Sequence, residues 1–268
     1  MNYAFIGLGN MAGAILRGMH VSGRFEGDLI YGYDAAAQQA LTLQQQMGLY
    51  PAASAEEAVR MAEAVVLCVK PQVMEQVLKT IAPALKPEKT VITIAAGLPL
   101  SFYEARLPEK MPIIRTMPSI NGQALAASSA LCGNAYADEA RVAIARKLLS
   151  AIGGVHEVPE KLFPAFSAIS SAAPAFAFLF ADALAQAGVK AGLTRALSQQ
   201  VAAELLLGSG KLMLQSGEHP RALIDKVTSP GGTTIEGVLA LEERGFAAAL
   251  HAAIQAVIDK DIRLGQGK

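Results

Sequence analysis

A glycine-rich hexapeptide lies near the start of the chain, between an apolar run and a helical pattern. Its residues are Gly7, Leu8, Gly9, Asn10, Met11 and Ala12. Gly7 permits a tight turn, Gly9 lets the backbone approach a diphosphate, and Ala12 lets the next helix pack closely against a sheet. That helix would also present unpaired N–H groups to the diphosphate. In this strand–loop–helix context the motif predicts dinucleotide binding.

An acidic residue, Asp34, stands at the end of the second predicted strand. A carboxylate at this point binds the ribose 2′-hydroxyl of NAD and repels the 2′-phosphate of NADP. No arginine adjoins it, because three alanines follow. These residues by themselves favour NAD as the cofactor. The alternative is that Asp34 only caps the next helix, as aspartate commonly does.

Two more segments follow predicted strands and are expected to line the same site. One consists of Val69, Lys70 and Pro71, and the other of Ala95, Ala96 and Gly97. Ligands of open α/β sheets bind beyond the carboxyl ends of the strands, and the small residues at 95–97 would leave room for a nicotinamide. Lys70 is either a ligand contact or a solvated lysine. Pro71, which suits the start of a helix, favours the contact.

Short apolar runs alternate with helical patterns through the first half of the chain. The predicted strands are residues 3–7, 29–33, 64–69, 90–95, 113–117, 128–132 and 155–158. The predicted helices between them are residues 11–21, 56–62, 72–84 and 138–151. Continuous apolar runs are typical of strands that are buried on both faces. The alternation predicts an α/β, Rossmann-like domain with a mostly parallel sheet over residues 1–158.

Residues 159–268 contain helical patterns alone, including 195–215, 233–241 and 246–264. This second domain is rich in alanine, leucine and valine and carries more apolar surface than a small bundle needs. We therefore expect an all-α dimerisation domain that pairs with a second copy about a two-fold axis. Whether such a homodimer assembles further is left open.

One uncharged stretch, residues 162–181, has about the length of a membrane-spanning helix. Pro164, Pro174 and three serines interrupt it, and no basic cluster marks one side. These features favour a buried core helix over a membrane span. The N-terminus lacks the pattern of a signal peptide. We therefore expect a cytoplasmic protein without a membrane partner.

The charge balance and the positions of the cysteines and histidines argue against a nucleic-acid partner and a metal site. Lysine plus arginine and aspartate plus glutamate each number 23, which argues against nucleic acid as a partner. Cys68 and Cys132 fit no metal or redox spacing, and the four histidines are scattered. The sequence therefore predicts no metal site.

Several motifs together resemble one family, the pyrroline-5-carboxylate reductases. The glycine loop, the Val-Lys-Pro-Gln run at 69–72 and the Ile-Ala-Ala-Gly run at 94–97 resemble that family's three cofactor segments. The most specific match is Val227-Thr228-Ser229-Pro230-Gly231-Gly232-Thr233-Thr234-Ile235-Glu236, which resembles its signature in the helical domain. We call residues 227–236 the signature segment.

The resemblance implies hydride transfer from NADPH or NADH to 1-pyrroline-5-carboxylate, which gives proline in the last step of its biosynthesis. It implies substrate contacts from Ser229, Gly231, Gly232, Thr233, Thr234 and Ser170, and further cofactor contacts from Met117 and Pro118. Physically, Ser229 can cap a helix, Pro230 suits a first helical turn, and Gly231 and Gly232 free the backbone to approach a carboxylate. By analogy with the family, Thr234 is the polar group nearest the ring nitrogen and is the candidate catalytic residue.

Two segments depart from the family pattern. Where the family has Arg-x-Met-Pro-Asn-Thr-Pro, this chain has Arg115-Thr116-Met117-Pro118-Ser119-Ile120-Asn121. Where the family has Ser-Gly-Ser-Gly-Pro, this chain has Ser170-Ser171-Ala172-Ala173-Pro174. These changes keep open a reductase of another small imine or oxo acid. A catalytically silent dinucleotide sensor is the alternative from a different class. The proton source, the choice between NADP and NAD, and inhibition by proline are not determined by the sequence.

Overall fold

The computed structural model describes residues 1–265, so the last three residues of the predicted second domain lie outside it. Residues 1–265 contain one sheet, with strand order β3-β2-β1-β4-β5-β6-β7-β8. The strands are β1 Asn2–Ile6, β2 Leu29–Tyr33, β3 Tyr50–Pro51, β4 Ala64–Leu67, β5 Thr90–Thr93, β6 Ile113–Met117, β7 Ala127–Gly133 and β8 Gly153–Glu157. All neighbouring pairs are parallel except β6 with β7, which are antiparallel. The predicted mostly parallel, Rossmann-like sheet is confirmed.

Helices connect the strands and then continue alone to the end of the described chain. Those of the first half are α1 Asn10–Ser22, α2 Ala37–Met47, α3 Ala55–Met61, α4 Pro71–Ile81, α5 Leu100–Glu104 and α6 Glu139–Ser150. Those that follow are α7 Phe163–Ser167, α8 Pro174–Lys190, α9 Arg195–Ser216, α10 Pro220–Val227, α11 Thr233–Glu243 and α12 Phe246–Gly265. A π-helical turn, Ala168–Ala172, separates α7 from α8. The predicted all-α second half is confirmed.

The sheet is covered on both faces, and its central strands contribute to two hydrophobic layers. Tyr3 and Phe5 of β1 pack in the layer formed with α1, α2 and α6. Ala4 and Ile6 point into the opposite layer, which is formed with α3, α4 and α5. Because successive side chains of a strand alternate between faces, an unbroken apolar run supplies both layers at once. The carboxyl ends of the central strands are thereby held at one edge of a rigid sheet.

Contacts divide the chain into two compact units. Unit 1 comprises Met1–Ser171 with the described part of Ile258–Lys268, and unit 2 comprises Ala172–Val257. The sheet lies entirely in unit 1, whereas unit 2 is helical. The boundary between two separately folding domains at residues 158 and 159 stays a prediction.

Within residues 1–265, one helical stretch, Glu160–Lys190, is long and apolar enough to cross a membrane. Only 17% of its most apolar part is buried in the chain. The interpretation of this stretch as a buried core helix is therefore wrong for the single chain, since a core helix would be mostly covered by its own protein. Length and composition do not distinguish a membrane span from a helix that a second protein chain covers.

Candidate functional site

The glycine loop between β1 and α1 is held tightly by its neighbours. Gly7 has φ +91°, and its N–H donates to the carbonyl of Tyr33 at 2.8 Å. A Cβ atom at this position would lie 3.0 Å from backbone atoms of Cys68 and Val69. Both the left-handed backbone and the close approach of β4 therefore require glycine here.

Gly9 has the opposite environment. It is the N-cap of α1 in extended conformation, with φ −72°, and a Cβ atom there would meet nothing within 4 Å. No side chain caps this helix and no acidic residue lies in its first turn. The first N–H groups of α1 thus have no capping side chain, which is the arrangement that binds a diphosphate.

A groove of about 820 Å³ opens beside this loop at the carboxyl ends of β1, β2 and β4. It contains five of the predicted cofactor residues: Gly7, Gly9, Asp34, Val69 and Lys70. Its size lies in the range of known cofactor sites. The glycine geometry, the uncapped helix and the groove together fit a dinucleotide.

The other predicted cofactor residues lie around this groove rather than in its wall. Leu8 and Ala12 are buried beneath the loop, and Pro71 is the first residue of α4. The remaining ones start α1, follow β5, or lie at the end of β6, and in the sheet β5 is next to β4 and β6 is next to β5: Asn10, Met11, Ala95, Ala96, Gly97, Met117 and Pro118. Contacts of these residues with a cofactor stay predictions.

One wall of the groove was missed in the sequence. It is formed by α4 and by the start of α3; besides Gln72, which belongs to the predicted run at 69–72, its residues are Ser54, Ala55, Val73, Gln76, Val77 and Thr80. The α4 members recur at intervals of three and four, which is the period of one helix face. That face is distinct from the buried face carrying Met74, Leu78 and Ile81. The spacing was therefore a usable signal.

Asp34 accepts two backbone hydrogen bonds. One carboxylate oxygen accepts the N–H of Leu8 at 2.7 Å, and the other accepts the N–H of Ala36 at 2.8 Å. The alternative that Asp34 is the N-cap of α2 is wrong, because Ala36 holds that position without a side-chain bond. The carboxylate instead joins the end of β2 to the glycine loop.

A thiol also lines the groove. Burial raises the pKa of the Cys68 thiol well above its ordinary value of 9.0. The group is therefore protonated at neutral pH and is a poor nucleophile. Among residues 1–265, no cluster of three or more histidine, cysteine, aspartate or glutamate residues is placed to hold a metal ion.

A second polar cluster in unit 1 surrounds Arg115 of β6. The buried guanidinium of Arg115 donates to Glu160 at 2.8 Å, and the same carboxylate oxygen accepts the N–H of Leu100 at 2.7 Å. The Arg115 guanidinium also lies 4.6 Å from the centre of the Phe163 ring. These contacts join β6 and α5 to the start of the helical stretch.

Ser170 is linked to Pro118, which directly follows β6, through the side chain of Ser171. The Ser170 and Ser171 hydroxyl oxygens are 3.2 Å apart, and Ser171 donates to the carbonyl of Pro118 at 3.4 Å. The departure from the family pattern at Ser171 thus adds a hydrogen bond as well as a Cβ atom. The structure brings together Ser170 and Pro118, which the sequence had assigned to substrate and cofactor respectively.

The signature segment lies in unit 2, between α10 and α11. The N–H of Gly232 donates to the carbonyl of Ser229 at 3.0 Å, and Gly231 has φ +68°. These features define a tight turn with Pro230 and Gly231 at its centre. The interpretation of Ser229 as a helix cap and of Pro230 as part of a first helical turn is wrong, because α11 begins at Thr233 with Gly232 as its N-cap.

The start of α11 is consequently free of side-chain caps. The N-cap, Gly232, has no side chain that could accept from the helix, so the first N–H groups of α11 remain available to a ligand. Ser229, Gly231, Thr233 and Thr234 are all exposed in the single chain. The turn thus presents backbone donors and hydroxyl groups on an open surface of unit 2.

Comparisons with known proteins cover the whole chain. A family model described as pyrroline-5-carboxylate reductase dimerisation matches residues 160–264. A second, described as NADP oxidoreductase, coenzyme F420-dependent, matches residues 2–97.

Individual relatives agree with these matches. The chain is 36% identical to the pyrroline-5-carboxylate reductase of Escherichia coli (strain K12) over 98% of this chain and 97% of that one. Its fold is similar to the crystal structure of 1-pyrroline-5-carboxylate reductase from Streptococcus pyogenes, with TM-score 0.87, 33% identity and 98% coverage of both chains. It is also similar to Plasmodium falciparum pyrroline carboxylate reductase with NADP bound, with TM-score 0.85, 28% identity and coverage of 99% and 98%.

Proposed function

Because the chain belongs to the pyrroline-5-carboxylate reductase family, we propose that it reduces 1-pyrroline-5-carboxylate to L-proline with NADPH or NADH. The observation that carries this proposal is the 36% identity to a reductase of that name over 98% of the chain. The intact signature segment supports the same reaction, since a silent dinucleotide sensor has no use for a substrate loop. Members of this class act on a C=N bond.

The residues of unit 1 bind and orient the cofactor. The N–H groups at the start of α1 hold the diphosphate, and Gly9 lets it approach the backbone. Asp34 contacts the ribose of the adenosine and Lys70 contacts the cofactor from the start of α4, while residues 95–97 and 117–118 leave space for the nicotinamide. The reduced nicotinamide supplies the hydride, and the protein supplies position and charge.

The signature segment binds the substrate. The uncapped N–H groups at the start of α11 hold the carboxylate, and the helix dipole favours that negative charge. The Thr234 hydroxyl forms a hydrogen bond with the ring nitrogen, which takes up the C=N electron pair as the hydride adds to the carbon. The proton that this nitrogen needs comes with an imine that binds already protonated or from water. Ser170 contacts the substrate from the helical stretch. No side-chain acid is assigned, so orientation accounts for most of the rate enhancement.

The proposed function includes self-association through the helical part of the chain. The dimerisation family model covers residues 160–264, where large apolar side chains such as Phe178 and Leu179 are exposed in the single chain. A homodimer would cover them and would also cover the apolar stretch Glu160–Lys190, which then needs no membrane. We accordingly propose a cytoplasmic homodimer that acts on a small molecule and binds no nucleic acid.

Steady-state oxidation of NADPH and NADH with 1-pyrroline-5-carboxylate tests the proposal. We expect turnover by the wild type and a roughly 100-fold lower kcat for Thr234→Ala, because a positioned hydrogen bond to the reacting group typically contributes that much. Thr234→Ser keeps the hydroxyl and should retain most of the activity. The same assay with other small cyclic imines and oxo acids addresses the departures at Ser171 and Ala173.

The assay tests the reductase reaction and the role of Thr234 separately. If the wild type turns over and Thr234→Ala is unimpaired, the reaction stands and Thr234 loses its role. If folded wild type oxidises neither cofactor with this imine but does so with another substrate of the panel, the proline assignment is wrong.

A further inference from the structure

We propose that this chain prefers NADH to NADPH and that Asp34 is the residue that discriminates between them. The inference rests on the proposed function, because it concerns the cofactor of that reaction. It departs from what the relatives suggest, since the Plasmodium falciparum structure has NADP bound and the family model matching residues 2–97 is described by NADP.

The position of Asp34 is the first observation. It directly follows β2 and lines the groove with Gly7, Gly9 and Ala35. A side chain at the end of the second strand of this fold meets the ribose of the adenosine, which carries the 2′-hydroxyl in NADH and the 2′-phosphate in NADPH.

The two hydrogen bonds of Asp34 fix its carboxylate in the groove. Rotating the side chain away would leave the N–H of Leu8 and the N–H of Ala36 without these acceptors, which lie at 2.7 and 2.8 Å. A buried donor without an acceptor is costly, and Leu8 is 2% exposed. Asp34 therefore cannot simply turn aside for a bulkier, charged ribose.

The remaining acceptor capacity of Asp34 suits a hydroxyl and opposes a phosphate. A carboxylate has about four lone-pair sites, and each oxygen uses one on a backbone N–H. The others can accept bonds from ribose hydroxyl groups. A 2′-phosphate offers only further negative charge at this place, so the interaction is repulsive.

No cation on this side of the groove offsets that repulsion. Residues 35–47, which include all of α2, contain no lysine, arginine or histidine. Among the residues that line the described groove, Lys70 is the sole cation, and it comes from the end of β4 and the start of α4. Enzymes of this fold that accept NADP commonly place an arginine near the acidic position.

Equilibrium binding without substrate tests the preference. The fluorescence of the reduced nicotinamide gives Kd for NADH and for NADPH with the purified full chain. Calorimetry with adenosine 5′-monophosphate and adenosine 2′,5′-bisphosphate repeats the comparison on the adenosine half alone. We expect wild type to bind the form without the 2′-phosphate at least about tenfold more tightly in both pairs.

Two variants assign the effect to this position. Asp34→Asn removes the charge, and we expect the ratio of the two Kd values to fall about tenfold or more. Ala35→Arg leaves the Asp34 hydrogen bonds in place and adds a cation at an exposed residue of the groove. It should tighten NADPH binding without tightening NADH. Glu56→Gln, which removes a negative charge outside the groove lining, should leave the ratio unchanged.

The outcomes are distinguishable from those of the proposed reaction. Equal or tighter binding of NADPH by wild type would overturn the preference and leave the reductase assignment standing. An unchanged ratio in Asp34→Asn with an unaltered circular dichroism spectrum would also overturn it. If Asp34→Asn does not fold, Ala35→Arg decides, and an unchanged ratio there counts against the proposal. Failure of wild type to bind either cofactor would overturn both proposals.

Discussion

The two units use similar apolar residues in opposite ways. Unit 1 buries them within its own chain: Phe5, Ile15 and Leu67 are at most 1% exposed. In unit 2 the buried hydrophobic residues among the described ones, apart from Pro174, are the two alanines Ala185 and Ala202. Its large apolar side chains are exposed or half-buried, so one chain alone does not cover its apolar surface.

The reason lies in how each element is covered. A strand of unit 1 has helices on both faces, so an unbroken apolar run is buried. Helix α9 does not separate its apolar and polar residues onto two faces, and its large apolar side chains reach the surface; Leu207 is 74% exposed and Leu214 is 88% exposed. Such exposed apolar side chains on neighbouring turns mark a surface that a protein partner covers. Unit 1 thus has a complete interior in one chain, whereas unit 2 needs a second copy.

The largest expected effect comes from placing a charge on the exposed surface of α9. Leu207→Asp should weaken self-association at least about 100-fold, because a dimer would have to bury an unpaired carboxylate. We expect monomers in sedimentation equilibrium and loss of nearly all reductase activity.

A matched control distinguishes this surface from ordinary exposed apolar residues. Val21, at the end of α1 in unit 1, is 69% exposed, close to the exposure of Leu207. Val21→Asp should leave both the oligomeric state and the activity unchanged. A dimer that survives Leu207→Asp, or one that Val21→Asp disrupts equally, would break the contrast between the units.

A smaller effect separates packing from binding inside unit 1. Gly7→Ala should reduce the free energy of unfolding by roughly 1–3 kcal/mol, because its left-handed backbone and the contacts with β4 both oppose a Cβ atom. Gly9→Ala should cost less than about 1 kcal/mol, since nothing lies within 4 Å of the added atom, and should weaken cofactor binding instead.

Denaturant unfolding and NADH titration of both variants check this prediction. The glycine loop would have a different role if Gly9→Ala bound NADH as tightly as wild type. A stable Gly7→Ala would show that β4 can move away from the loop.

The smallest effect compares one carboxylate from each unit. Burial raises the pKa of Asp28, but hydrogen bonds from the Met1 amino group and Lys147 outweigh it and hold the pKa below its ordinary 3.8. Since the folded pKa is depressed, Asp28 stabilises the fold above that ordinary value, and this contribution is lost as the pH falls through the folded pKa. Asp28→Asn should therefore cost less than about 1 kcal/mol at pH 7 and progressively less below about pH 4.

Asp182 of unit 2 is the matched control. Hydrogen bonds from Gln186 and Arg195 lower its pKa as well, but its side chain is 42% exposed. Asp182→Asn should produce no measurable change in unfolding at either pH, because solvent screens an exposed pair. Equal effects of the two substitutions on unfolding would show that burial does not determine how much such ion pairs stabilise this protein.

The elements that the sequence predicted are those with a strong burial pattern. Strands β4 and β5 are wholly buried, β4 is entirely apolar, and both strands lie where expected. Four elements were missed. β3 is two residues long and contains Pro51, α5 is five residues long, α2 buries only Ala40 and Leu43, and α10 has no buried residue. Their apolar patterns are weak because these elements depend on contacts outside themselves: β3 is held by pairing with β2, and the helices bury few side chains of their own.

The same limit applies to the candidate site. Gly7, Gly9, Asp34, Val69 and Lys70 converge on one groove because parallel strands deliver their ends to the same edge. The turn at Ser229 was misread, since a serine before a proline and two glycines suits a helix cap and a tight turn equally well. Which one forms depends on the hydrogen bond between Ser229 and Gly232, which no spacing reveals.

The assignment of Ile258 onward to unit 1 has a consequence for synthesis on the ribosome. Residues 1–171 emerge first and contain every strand of the sheet. Domains fold in the order in which they leave the ribosome, so the sheet can form early. The end of α12, however, joins unit 1 only after all of unit 2 has been translated. A nascent chain stalled before residue 258 would carry an assembled sheet that still lacks its last helical segment.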